Sequence, residues 1–258
     1  MAVYTKLNFE ELENHLKNYS IGELDNFEEI KEGVENSNFK ITTQLNSYIL
    51  TLYEKRVSNE DLPYFINLMS FLSEKSDLFP KPYKNKFGNF IQPIKNKNSA
   101  IISFLPGKQI LIPSTKHCFE LGKSLSQMHL FSDDFKYYRK NKLGQNTWKK
   151  FFIKCMKSNN NFIKKEKNDL VNDVLKILDQ NWPENLRVGQ IHADLFTDNV
   201  FFIDDKISGI IDFYFSCTDF LAYDVAVCIN DWCFDKKGNY LDDNSLSLIA
   251  GYELNRKL

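Results

Sequence analysis

Apolar residues in this chain change their spacing several times, and each change marks an element. Residues 8–19 set Phe9, Leu12 and Leu16 at helical intervals behind Asn8, a residue type that caps helix N-termini. Residues 24–30, 38–43 and 48–53 are instead β-branched and aromatic, and Gly33 and Asn46-Ser47 separate them, which predicts an antiparallel meander. Over residues 59–73, Leu62, Phe65, Ile66, Met69 and Leu72 return to three-and-four spacing, with Pro63 tolerated in the first turn. This helix is expected to pack on the small sheet. Further strands are expected at residues 90–94 and 100–104, after which Pro106-Gly107 breaks the pattern.

Beyond that break the spacing is mainly helical. Residues 115–130 carry a stripe of Phe119, Gly122, Leu125 and His129, with His129 read as a structural helix-end residue. Residues 148–156 and 169–178 read as two more helices, and a last one is expected from Ser245 onward. The helix opening at Leu221 is apolar nearly all round and is expected to be buried. Asp219 is read as its cap, and Asp224, in its first turn, as support for a neighbouring loop. The expectation is an α+β chain in two lobes, a sheet-based lobe over residues 1–105 and a helical lobe over 106–258.

Between the late helices lie three short apolar runs, residues 188–191, 200–203 and 207–211, the last two joined by a turn at Asp204-Asp205-Lys206. Polar residues gather at their ends: His192-Ala193-Asp194-Leu195-Phe196-Thr197-Asp198-Asn199, then Asp212 within Ile210-Ile211-Asp212-Phe213. A loop from His192 to Asn199 places Asp194 at its tip and Asn199 at the start of the next strand, with Asp212 closing the hairpin on the same side. One carboxylate to accept a hydroxyl proton, with an amide and a second carboxylate to hold a hard cation on ATP, is a phosphoryl-transfer set. Each residue alone reads as an ordinary turn residue; the register of all of them together favours chemistry. His192 is assigned an orienting role at the catalytic loop, and Asp198 a turn-capping one.

Composition narrows the partners. With 33 basic against 34 acidic residues the net charge is −1, so no global field points to nucleic acid or to a membrane surface. The lysine-rich stretches 149–157 and 164–167 read as solvated helix faces. The five cysteines show no C-x-x-C spacing, which suggests neither a disulfide framework nor a zinc site. There is no charged-then-apolar leader and no membrane-length apolar run, so a cytoplasmic protein is expected.

The His-x-Asp-x-x-x-x-Asn pattern followed by Ile-Asp-Phe resembles the aminoglycoside phosphotransferase and choline kinase superfamily. Within it, Gly33-Val34-Glu35-Asn36-Ser37-Asn38-Phe39, Ile49-Leu50-Thr51-Leu52-Tyr53-Glu54-Lys55-Arg56, Asp212-Phe213-Tyr214-Phe215, Leu221-Ala222-Tyr223-Asp224 and Trp232-Cys233-Phe234 resemble its bacterial homoserine kinase branch. The resemblance implies a protein-kinase-like fold and transfer of the ATP γ-phosphate to the hydroxyl of L-homoserine, a step towards threonine. It also implies Asp194 as base, and Asn199 and Asp212 as ligands of Mg2+. Gly33, Val34, Asn36, Ser37 and Asn38 are implied to lie over the phosphates, and Ser103, Phe104 and Leu105 to form the hinge that reads adenine. Arg139 and Tyr214 are implied to lie near the amino-acid substrate.

Two departures stand out. Thr51 occupies the position where the superfamily carries a phosphate-binding cation, with Lys55 and Arg56 just beyond it. Ala193 replaces a common glycine, a small-for-small change expected to matter little. The chain is also expected to be shorter at its C-terminus than this branch. Alternatives in view are a kinase of choline, an aminoglycoside or a sugar, or a nucleotide-binding protein without turnover.

Overall fold

The computed structural model describes residues 4–31, 36–54, 57–157 and 165–258. The first helix, α1 (Phe9–Leu16), starts at Asn8, whose side chain accepts the Glu11 N–H at 2.8 Å while the Glu11 carboxylate accepts the Asn8 N–H at 2.9 Å. This reciprocal pair satisfies two of the donors that any helix start leaves open.

The sheet comprises β1 (Leu24–Ile30), β2 (Ser37–Thr43), β3 (Ser47–Leu52), β4 (Pro82–Tyr83), β5 (Ile91–Ile94) and β6 (Lys97–Ser103). Strands run in the order β1-β2-β3-β6, β4 and β5 both pair with β6, and every pairing is antiparallel. The two-residue period sorts its faces. Ser37, Phe39, Ile41 and Thr43 of β2 are buried while Asn38, Lys40 and Thr42 are half-buried. Phe39 and Ile41 join Leu12, Leu16, Leu50, Leu52 and Ile101 in a core sealed by α1.

The other face of the sheet turns to the rest of the molecule. There Tyr53 and Ala100 share a second, larger core with α2 (Leu62–Ser73) and the C-terminal half, including Leu125, Leu195, Phe213 and Trp232. Helix α2 therefore does not pack on the small sheet alone, as its position in the chain suggested. Leu62, Tyr64, Phe65, Ile66, Leu68, Met69 and Leu72 are all buried, an apolar surface too wide for one partner.

The C-terminal half contains α3 (Thr115–Phe131), α4 (Gln145–Lys157), α5 (Lys165–Asn181), β7 (Val188–Ile191), β8 (Val200–Ile203), β9 (Lys206–Ile210), β10 (Cys217–Phe220), α6 (Leu221–Trp232) and α7 (Asp242–Glu253). Strands β8 and β9 form the expected hairpin, and β10 pairs antiparallel with β7. Helices α3 and α7 approach closely enough that a Cβ at Gly122 would lie 1.9 Å from the Leu248 carbonyl oxygen, and one at Gly251 2.0 Å from that of Phe119. Only glycine permits this contact. Among the described residues no helix is long and apolar enough to cross a membrane.

Candidate active site

The loop between β7 and β8 is held from beneath by α6. The buried Asp224 carboxylate accepts the main-chain N–H of His192 at 2.7 Å and of Ala193 at 2.8 Å, and lies 3.1 Å from His129 Nε2. Burial pushes the Asp224 pKa up, but the hydrogen bond and charge of His129 and the His192 N–H outweigh it, and the net shift is downward. His129 Nδ1 in turn lies 2.8 Å from the Tyr252 hydroxyl, which ties α7 into the network. Asp219 does not cap α6. Its carboxylate accepts from Asn141 at 2.8 Å and from the Phe220 N–H, and Phe220 occupies the cap position with no side-chain bond.

His192 is fully buried, and its Nε2–H donates to the Ile211 carbonyl at 2.9 Å, so it bridges the loop to the strand end that leads into Asp212. Burial lowers its pKa, against the pull of Asp224. A buried ring committed to this carbonyl is placed to brace the loop. Ala193 has φ +64°, the left-handed region. The replacement of glycine there is not neutral as expected, since an L-residue in this region costs roughly 1 kcal/mol.

Asp194 and Asn199 meet at the mouth of this loop, and the main chain of Asn199 is bonded to Ile211, the residue before Asp212. The Asn199 amide nitrogen donates to the Asp194 main-chain oxygen at 2.7 Å and to its carboxylate at 3.1 Å. The Asn199 carbonyl oxygen accepts the Ile211 N–H at 3.0 Å, which fixes the loop against the hairpin. With its nitrogen committed, the side-chain amide of Asn199 keeps an oxygen for other partners. Asp212 sits just after β9 at φ 63°, ψ 58°, a conformation asparagine and aspartate tolerate best after glycine, and opens a single tight turn, Phe213–Phe215. This donor set is an amide oxygen and carboxylates, the oxygen chemistry a hard divalent cation takes, and it contains no thiolate or imidazole.

Tyr214 faces these residues from that turn. Its hydroxyl lies 3.1 Å from that of Tyr53, so it spans from the C-terminal half to the sheet. Burial, with the negative charge of Asp212 nearby, pushes its pKa to about 12. Thr51 is buried beside it and donates to Asn38 Oδ1 at 2.8 Å; both side chains lie on the sheet face that meets Tyr214.

The remaining expected residues are distributed differently. Gly33, Val34, Lys55 and Arg56 lie outside the described residues. Ser37 is not on the nucleotide side of the sheet. Its buried hydroxyl donates to Glu54 at 2.7 Å and accepts the N–H of Tyr4 at 2.9 Å, because it shares the strand face of Phe39 and Ile41. Asn36 is likewise a brace, accepting the Glu54 N–H at 3.4 Å. Ser103 belongs to the sheet: its N–H donates to the Lys81 carbonyl and its hydroxyl accepts the Lys81 N–H, both at 2.9 Å. Phe104 is partly exposed, with Lys40 Nζ 4.9 Å from its ring centre, and Leu105 is buried where the chain crosses to the helical half.

Arg139 is already engaged. Its guanidinium donates to Asp61 at 3.0 Å and to the Ser216 carbonyl at 3.0 Å, and lies 4.7 Å over the Phe65 ring, while its buried Nε has no hydrogen-bond partner among the described residues. Lys142 contacts the same Asp61 carboxylate. Burial pushes the Asp61 pKa up, but these two cations outweigh it and leave it lowered. The ion pair links the start of α2 to the chain just beyond Tyr214.

Known proteins resemble this chain in sequence and in fold. A homoserine kinase of Xanthobacter autotrophicus is 47% identical over all 258 residues, which cover 80% of its length, and one of Methylobacterium radiotolerans is 45% identical over the same span. Among solved structures, an amicoumacin kinase in complex with AMP-PNP and Ca2+ superimposes with a TM-score of 0.75 at 15% identity, covering 98% of this chain and 79% of that one. A spectinomycin phosphotransferase in complex with ADP and spectinomycin gives 0.68 at 15% identity, covering 96% and 80%. These structures share the fold, a two-lobe kinase-like arrangement. With residues 26–253 matching the model of the phosphotransferase enzyme family and relatives this similar along its whole length, the chain belongs to that family.

Proposed function

We propose that this chain transfers the γ-phosphoryl group of ATP to the side-chain hydroxyl of L-homoserine, giving O-phospho-L-homoserine on the way to threonine. The observation that carries the reaction is the Asn199 amide locked onto Asp194 beside Asp212. The choice of acceptor follows from the homoserine kinases that match the chain end to end. ATP and a divalent cation are the cofactors of such a reaction, and Mg2+ suits the all-oxygen donor set best. Residues 1–105 and 106–258 are taken as its two lobes, and an ATP-fed reaction belongs in the cytoplasm.

Asn199 and Asp212 would hold Mg2+, which supplies charge neutralisation at the phosphates. The chain's own residues do the rest. Asp194, its carboxylate fixed by the Asn199 amide, orients the acceptor hydroxyl and takes its proton. Asp224 and His192 keep the loop in that arrangement through main-chain bonds. Tyr214 closes one side of the acceptor region against Tyr53, and Arg139, held at the same turn by Ser216 and Asp61, places a cation there to attract the substrate carboxylate. Asn38, Thr51 and Phe104 line the nucleotide side.

Purified protein with Mg-ATP should release ADP in response to L-homoserine, with L-serine, choline and an aminoglycoside inactive. Turnover with one of the others would keep the mechanism and reassign the acceptor. Nucleotide binding without turnover on any of the four would reject the proposal.

A further inference from the structure

The catalytic loop rests on one face of α6, and its main-chain groups end on that helix's side chains. Asp224 takes the His192 and Ala193 N–H groups, Trp232 Nε1 donates to the Leu195 carbonyl at 3.0 Å, and Asp231 Oδ2 accepts the Thr197 N–H at 2.7 Å. Residues 224, 231 and 232 recur at helical spacing, so they share a face.

Asp231 is the odd member. Asp224 stands in the first turn of α6, where the helix dipole favours a carboxylate. Asp231 stands in the last turn, one residue before Trp232, where the dipole opposes one. It is also only half-buried, so no core packing demands it. Local helix energetics argue against this residue, and its short bond to Thr197 is what offsets them. Thr197 opens the single turn Thr197–Asn199, and the last residue of that turn places its amide on Asp194.

We propose that Asp231 is a positioning residue for the metal side of the site: by fixing Thr197 it fixes the turn that sets Asn199, and so the affinity for the divalent cation. This rests on the reading of Asn199 as a metal ligand. It assigns Asp231 no role in moving the proton.

The test is equilibrium binding of a non-hydrolysable ATP analogue to the whole protein, with and without Mg2+. The gain in affinity on adding Mg2+ is compared in wild type, Asp231→Ala, Asp231→Asn and Asn199→Ala. Asp231→Ala should lose about tenfold of that gain, as expected for a charge-assisted hydrogen bond, with Mg2+-free binding and melting temperature near wild type. Asp231→Asn keeps an acceptor for Thr197 without the charge and should restore most of the gain. An undiminished gain in Asp231→Ala, alongside a loss in Asn199→Ala, would overturn the role of Asp231 alone. Equal losses in the Ala and Asn variants would overturn it too, since that outcome reports long-range charge rather than positioning. An undiminished gain in Asn199→Ala would remove Asn199 from the metal site, and the proposal with it.

Discussion

The two walls of the cleft are built on opposite principles. The wall from the C-terminal half carries Asp194, Asn199 and Asp212 on loops and turns, and buried side chains of α6 hold the main chain beneath them. The wall from the sheet presents Asn38, Thr51 and Tyr53, neutral side chains on regular strands, with Lys40 on the same strand face as Asn38 and over the Phe104 ring. Among the described residues the carboxylates stand on one wall only, so under the proposed function the cation-holding and proton-accepting work falls to a single side. They also show why a loop must be anchored so heavily: a carboxylate on an irregular segment keeps its place only if each main-chain group around it has a partner.

Breaking the charged wall should have the largest effect. Asp194→Asn is expected to lower kcat by about a thousandfold or more while leaving nucleotide affinity within a few-fold, as checked by turnover and analogue binding on the same preparation. Asp224→Ala comes next. It strands two main-chain donors and His129 in a buried site, so it should cost about 3–5 kcal/mol in urea unfolding and lower activity with it. A loss below 1 kcal/mol would mean that the loop does not depend on α6.

The sheet wall should respond to acid. Burial holds His15, behind the sheet, at a pKa of about 4 against an ordinary 6.5. The unfolded chain therefore binds this proton first, and stability present above pH 6.5 is lost as pH falls from there towards 4. The loss is bounded at roughly 3 kcal/mol. Melting temperature measured between pH 7 and 4.5 should fall less in His15→Leu than in wild type; parallel slopes would contradict this. The smallest effect is expected at Thr51. Thr51→Val removes the bond to Asn38 and should cost about 1 kcal/mol of stability with little change in kcat. A large loss of kcat would mean that the sheet wall takes part in the chemistry.

The same contrast explains what the sequence disclosed. Most helices and strands were legible because one face of each is buried, while α4, which buries no residue fully, was legible from its apolar spacing alone; the motif from His192 to Asp212 was legible because polar residues interrupt apolar strands. Ser37 was misassigned from the resemblance although period-two alternation with Phe39 and Ile41 already placed it on the buried face. Strand β10 was missed because four residues with no alternation pair with a strand distant in sequence. The destination of α2 was not readable, since periodicity shows that a helix buries a face but not which core receives it. Asp231 escaped notice because an acidic residue near a helix end reads as solvated until its partner is seen.

The most direct measurement is homoserine-dependent ADP release by the wild-type protein and by Asp194→Asn at matched nucleotide occupancy. Turnover that requires homoserine in the wild type and vanishes in the variant is the predicted result. Equal rates in the two proteins, or ADP release indifferent to homoserine, would contradict it.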